Sequence, residues 1–175
     1  MERTIKSEWI YKGKVINLKV DEVELPDGNK SRREIVVHRG AAAIVPVDEE
    51  GNIFMVRQYR KPVEKELLEI PAGTLEEGED PLECAKRELV EETGFAGKRF
   101  HLLASFYSTP GFTTEKLYVY LAEGLYREKG EMDFDEFIEV EKIPLENLFS
   151  MVMEGKIEDA KSIIGILLTY QKLKG

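Results

Sequence analysis

The stretch from Arg87 to Gly94 reads RELVEETG and holds four ionised side chains. On a helix, Glu88 and Glu92 stack one turn apart, with Glu91 flanking them on the same side. Like charges at that spacing repel by roughly 0.2–0.5 kcal/mol. Arg87 stands four residues before Glu91 and relieves one charge, but it leaves Glu88 and Glu92 opposed. Two readings compete. One is a solvated acidic face. The other is an oxygen-ligand site for a hard divalent cation, which would resolve the repulsion. Magnesium is commonly held by one or two carboxylates, with substrate phosphates completing its shell.

The helix that must carry these groups has legible ends. Asp80 suits the N-cap and Pro81 the first helical position. Glu83 stands at capping-box spacing from Asp80, and Gly94 is a natural stop. Leu82, Ala85 and Leu89 form an apolar stripe between them. These signals predict a helix over 81–93. Further helices are expected over 145–154 and 158–173. KVINLKVDEVEL alternates at period two, PDGN turns, and KSRREIVVHR returns, which reads as an N-terminal hairpin. AAAIVPV and IFMVRQY flank the turn DEEGN, ELLEI runs into PAG, and HLLASFY, EKLYVYLA and FIEVEKI are further strand candidates. Many strands with a few interspersed helices point to an α/β or α+β class, a sheet packed by helices.

Composition narrows the chemistry. A chain of 175 residues with 42% hydrophobic and 34% charged residues suits one globular domain. No apolar run reaches the ~18 residues of a membrane span, so no membrane partner is expected. The N-terminus lacks an apolar signal region, so a cytoplasmic location is expected. A net charge of −9 argues against nucleic-acid binding. A phosphate-bearing substrate would have to be met by local arginines or by bound metal. The single Cys84 rules out an internal disulfide and a cysteine-cluster zinc site, and two histidines argue against histidine-rich metal chemistry.

The spacing upstream of the helix carries a resemblance. Gly73 is followed after five residues by Glu79, then after seven by Arg87-Glu88-Leu89, Glu91-Glu92, Gly94 and Phe95. GTLEEGEDPLECAKRELVEETGF resembles the Nudix box, G-x5-E-x7-R-E-U-x-E-E-x-G-U with U apolar, at every fixed position. VRQYRKP, LEIPAG, STPGFTTE and KSRREIVVHRGAAAIVPV resemble the ADP-ribose pyrophosphatase branch of that family. That branch carries a proline about 16 residues past the box; here Pro110 lies 16 beyond Gly94.

The resemblance implies a Nudix fold, a mixed sheet sandwiched between helices, with an N-terminal antiparallel hairpin. It implies one domain over 1–175, with 1–39 a dimerising region and 40–175 the catalytic core. The implied reaction is Mg²⁺-dependent (or Mn²⁺-dependent) hydrolysis of ADP-ribose to AMP and ribose 5-phosphate. A broader nucleoside diphosphate sugar pyrophosphatase is the alternative within the class. A non-catalytic ADP-ribose sensor is the alternative outside it; such domains often lose box glutamates, and none is lost here. By resemblance, Glu88 and Glu92 are the main metal ligands, with Glu91 and the backbone carbonyl of Ala72 contributing. Arg87 orients Glu91, Glu79 braces the loop, and Gly73 and Gly94 shape it. The base falls in GEMDFDEFIEV, where alignment selects Glu136; Phe134 interrupts the acidic run and leaves Asp133, Asp135 and Glu139 as alternatives. Arg33 and Glu34 match residues near the adenosine half, Arg60 a phosphate contact, and Glu115 a residue near the terminal ribose. The branch is generally a homodimer in which the hairpin of one subunit helps enclose adenine at the other. Trp9, Tyr11 and Phe112 suit packing as well as base stacking and are left out of the site.

Overall fold

Strand formation begins upstream of the expected hairpin in the computed structural model, which describes residues 1–129 and 138–175. Strands β1 (Arg3–Lys12), β2 (Asn17–Glu24) and β3 (Lys30–Val37) form an antiparallel sheet in the order β1-β2-β3. The β2–β3 hairpin is the one its alternation predicts, and Gly28 turns it at φ +86°. β1 was not anticipated. Its pairing with β2 shifts register between Thr4 and Lys6 and again between Trp9 and Tyr11. Each irregularity breaks the period-two pattern by which a strand is read from sequence.

The chain divides into two compact units, Met1–Gly40 with Phe106–Lys116, and Ala41–Ser105 with Leu117–Gly175. In the first, the segment 106–116 is stitched to β3. Val36 N–H donates to the Phe112 carbonyl at 2.8 Å, and Thr114 N–H returns to the Val36 carbonyl at 3.0 Å.

The second unit is built around β4 (Ala41–Val47), the run AAAIVPV, which is buried at every position. A strand apolar on both faces must be covered on both. β4 runs parallel to β10 (Lys116–Glu123) and antiparallel to β5 (Asn52–Arg60) and β7 (Ala72–Thr74). β6 (Lys65–Glu69) pairs with β5, and β8 (Phe95–Ala96) precedes β9 (Arg99–Tyr107). β11 (Tyr126–Arg127) pairs with β8, and β12 (Ile138–Pro144) closes the sheet order β12-β5-β4-β10-β9.

Helix α1 (Pro81–Thr93) covers one face of β4. Its Cys84, Ala85 and Leu89 pack with Ala42, Ile44, Tyr120 and Ala122, and Leu82 sits at the margin. Strand alternation sends Val45 to the opposite face. There α3 (Ala160–Lys174) approaches through Gly165. A Cβ at that position would lie 2.9 Å from Val45 Cγ2 and 3.0 Å from Ile70 Cδ1, so the glycine permits the close helix–sheet contact. A shorter helix, α2 (Leu145–Met153), precedes α3. The result is the mixed sheet between helices that the resemblance implies. Among the described residues no helix is long and apolar enough to cross a membrane.

The bounds of α1 match the sequence reading at both ends. The Asp80 side chain accepts from Leu82 N–H at 2.8 Å, and Gly94 takes φ +69° with its N–H on the Val90 carbonyl. α3 begins two residues later than expected, because Asp159 serves as its N-cap and accepts from Ser162 N–H. Removing the α1 cap tests how much that end depends on it. Asp80→Ala should cost about 1 kcal/mol, since one helix N–H loses its acceptor. Thermal melting should register this as a fall of roughly 2–4 °C.

Candidate active site

Helix α1 turns two of its three box acids, Glu88 and Glu92, inward. Glu88 is 9% exposed and Glu92 4%, so the solvated-face reading does not describe them. Burying two carboxylates one turn apart is costly unless each is hydrogen-bonded or paired. The Glu92 carboxylate accepts Ala72 N–H at 3.0 Å. Glu88 lies directly over Gly73: a Cβ there would fall inside the Glu88 carboxyl group. Gly73 is therefore required by close approach, and any side chain would push Glu88 out of place. Strand β7 sets this backbone, with Ala72 and Gly73 opposite Ala43 and Ala42 of β4.

Arg87 connects the remaining acids. Its Nε and Nη2 donate to Glu79 at 3.0 and 3.1 Å, and its Nη1 to Glu88 at 2.7 Å and Glu91 at 2.9 Å. It does more than the expected Glu91 pairing, because it also takes up part of the Glu88 charge. The hydrogen bond to Glu79 is the chief reason its pKa rises above the ordinary arginine value, with Glu88 and Glu91 adding to it. The same bond holds the Glu79 carboxyl below its ordinary value. Glu79 also accepts Glu76 N–H at 2.8 Å, which closes the loop before α1.

Cys84 is fully buried, with its Sγ 3.6 Å from the Gly73 carbonyl. Burial, reinforced by Glu79 and Glu88, pushes its thiol up to about 12. It is a neutral packing residue and neither nucleophile nor metal ligand.

Glu88 and Glu92 offer a pair of hard-oxygen donors. Among the described residues no group of three or more His, Cys, Asp or Glu side chains is gathered as a metal cluster. Two buried carboxylates fit magnesium, which takes one or two from protein and the rest from water and phosphate. A cleft of about 530 Å³ opens along the other side of α1, lined by Arg87, Val90, Glu91, Phe100, Tyr126 and Lys129. Neither Glu88 nor Glu92 lines it.

The other expected residues are placed as follows. Arg60, at the end of β5, donates from Nε and Nη2 to the two oxygens of Glu69, both at 2.8 Å. Glu69 is 1% exposed and was not anticipated from sequence. The available signal was an acid inside the apolar run LLEI. Arg33 and Glu34 are consecutive on β3, so their side chains leave opposite faces of that strand. Arg33 pairs with Glu2 and donates to Ser31 Oγ at 2.9 Å. Glu115 lies 3.7 Å from His38 Nδ1. That nitrogen accepts Gly40 N–H at 3.0 Å, so the contact is not a donated hydrogen bond. Pro110 follows Thr109, whose carbonyl accepts from Phe112 and Thr113. Glu139 lies on β12 opposite Arg57. Glu136, Asp133 and Asp135 lie outside the described residues.

Comparison with known proteins bears on this geometry. Residues 37–164 match the NUDIX domain, and residues 2–36 match the nucleoside diphosphate sugar hydrolase N-terminal domain. The chain is 49% identical to an ADP-ribose pyrophosphatase of Bacillus subtilis (strain 168), covering 99% of this chain and 94% of that protein. It is 46% identical to a methanol dehydrogenase activator of Bacillus methanolicus, covering 94% and 90%. The crystal structure of an ADP compounds hydrolase superposes with a TM-score of 0.88 over 99% of this chain and 95% of the other. Its identity is 24%, so it speaks to the fold alone.

The Glu79–Arg87 bond makes a pH prediction that is independent of substrate. A carboxyl whose folded pKa is depressed contributes stability that is fully present above its unfolded value, near 4.5 here. That stability is lost as pH falls through the folded value. Glu79→Gln should therefore lower the melting temperature most at neutral pH, and the gap to wild type should close below about pH 4.5. Melting curves across pH 3–7 check this, and a gap independent of pH would show that charge is not what Glu79 supplies.

Proposed function

The chain belongs to the Nudix family, and from that membership we propose that it hydrolyses the pyrophosphate of ADP-ribose to AMP and ribose 5-phosphate with Mg²⁺. The observation that carries the reading is the burial of Glu88 and Glu92 against the Ala72–Gly73 backbone within an unbroken box. The choice of ADP-ribose is supported by the pyrophosphatase from Bacillus subtilis, similar over nearly the whole chain. The match of residues 2–36 to a nucleoside diphosphate sugar hydrolase domain favours a second reading, a broader nucleotide sugar pyrophosphatase.

Glu88 and Glu92 would hold the cation, with Glu91 and the Ala72 carbonyl contributing. The cation, when bound, activates water and offsets charge on the phosphoryl oxygens. The protein's own groups divide the remaining work. Arg87 holds Glu91 and Glu88 in one orientation. Arg60 meets the diphosphate. Glu136 takes the proton from the attacking water; its assignment rests on the sequence alone. The roles of Arg33 and Glu34 toward adenosine, and of Glu115 toward the terminal ribose, rest on the resemblance.

A panel of ADP-ribose and other nucleoside diphosphate sugars, with Mg²⁺ and product identification, tests the substrate. A higher kcat/KM for another sugar would move the assignment to the broader class. Within that assay Glu92→Gln should fold normally, because Gln still accepts Ala72 N–H, while kcat falls by orders of magnitude. Glu136→Gln should lose ~10²–10⁴-fold, the contribution of a general base. A larger loss in Glu139→Gln would shift the base to that residue.

The active unit is a homodimer. The support comes from β1, an edge strand of ten residues all of which are exposed, Trp9, Ile10 and Tyr11 among them. Such an edge invites pairing or cover. Sedimentation equilibrium at micromolar concentration should give twice the 20.0 kDa chain mass. A single species at chain mass would defeat the proposal.

A further inference from the structure

Outside the box, Glu69 sits in a cluster of buried charge. Glu69, at the end of β6, has both carboxylate oxygens engaged. Arg60 occupies them through Nε and Nη2 at 2.8 Å each, and the Lys161 ammonium joins at Oε2. Burial pushes the Glu69 carboxyl up, and the two cations outweigh it, so its pKa stays below the ordinary value. Lys161 is itself mostly buried and lies 3.0 Å from Asp159, the N-cap of α3. In the next residue, Ser162 Oγ accepts Ile70 N–H at 2.8 Å.

A buried triad of this kind is a weak device for stability, since apolar residues of similar volume often do as well or better. What it supplies is orientation. A guanidinium bonded along its Nε–Nη2 edge is fixed in plane and direction, with its Nη1 side turned away from that carboxylate. The first turn of α3 thus holds two consecutive residues of one strand exit, Glu69 by its side chain and Ile70 by its backbone. Two residues further on, Ala72 N–H meets Glu92, and the Pro71 carbonyl between them accepts Ile44 N–H at 2.9 Å. Arg60 and Glu92 are therefore both referenced to the short segment 69–72. Among the charges acting on Arg60, Glu69 is the strongest and Glu92 acts through space as well.

We propose that Glu69 and Lys161 are positioning residues that aim Arg60 at the substrate diphosphate, with the first turn of α3 as their anchor. The proposal rests on the reading of Arg60 as a phosphate contact. Glu69 does not touch substrate; it acts through Arg60.

A thermodynamic cycle separates this role from a purely structural one. Arg60→Ala, Glu69→Gln, Lys161→Met and the doubles Arg60→Ala/Glu69→Gln and Arg60→Ala/Lys161→Met are assayed on ADP-ribose with Mg²⁺. If another nucleoside diphosphate sugar is the better substrate, it is used instead. Melting temperatures establish which variants are folded. Glu69→Gln should lower kcat/KM by ~10–100-fold, the scale expected when a binding group is misplaced by about 1 Å. Lys161→Met should lower it in the same direction. In the Arg60→Ala background each substitution should add less than twofold, because there is no longer a guanidinium to aim. If Glu69→Gln does not fold, Glu69→Asp keeps the charge, draws the carboxyl back by one methylene, and is read in the same cycle. Effects that multiply in full with Arg60→Ala, or folded Glu69 variants with wild-type kcat/KM, would overturn the positioning role. Wild-type kcat/KM in Arg60→Ala would instead sink the phosphate-contact reading beneath it.

Discussion

Two carboxylates of one helix, Glu88 and Glu92, are held inside the protein one turn apart. Much of the second unit follows from that constraint. Each charge must be met by a donor, and each donor must be placed by something else. Glu92 is met by the N–H of Ala72, and Glu88 by Arg87. For Glu88 to fit, residue 73 must lack a side chain. For Ala72 and Gly73 to stay in place, β7 must pair with β4, and β4 must be buried on both faces. The apolar sandwich of α1, β4 and α3 is thus the mount for a polar site that would be unfavourable if left loose.

The arginines divide the work. Arg87 meets one member of the buried pair, Glu88, and gathers Glu79 and Glu91 with it, tying the loop before the helix to the helix itself. Arg60 is held by a different acid, Glu69, which is anchored in turn to the start of α3. Both guanidiniums are oriented by carboxylates, the geometry that arginine's planar fork suits and a lysine would not reproduce. Cys84, embedded between Arg87 and Gly73, is kept neutral by the same burial that makes the acids effective.

The first unit follows other rules. β1 is exposed along its length, while β2 buries Asp21 and Val23. Two of the unit's ionic contacts, Arg33 with Glu2 and Arg3 with Glu24, are exposed pairs of small energetic weight, whereas Lys19 meets the buried Asp21 at 2.8 Å.

How much of this the sequence determined depends on the range of the signals. The ends of α1 were legible because caps are local: Asp80, Pro81 and Gly94 act on backbone groups within a few residues. The box spacing was legible for the same reason, since Gly73 to Phe95 is one loop and one helix. The hairpin of β2 and β3 was readable from strict alternation, whereas β1 was hidden by two register shifts that only pairing with β2 reveals. Tertiary structure alone decided that Glu88 and Glu92 are buried, because burial depends on which strands cover the helix. It also decided the partner of Arg60. Glu69 and Lys161 are far apart in the chain, and no periodicity or spacing marks them as a pair. They meet because the sheet and α3 close on the same strand exit, where a buried carboxylate must find cations wherever the fold brings them.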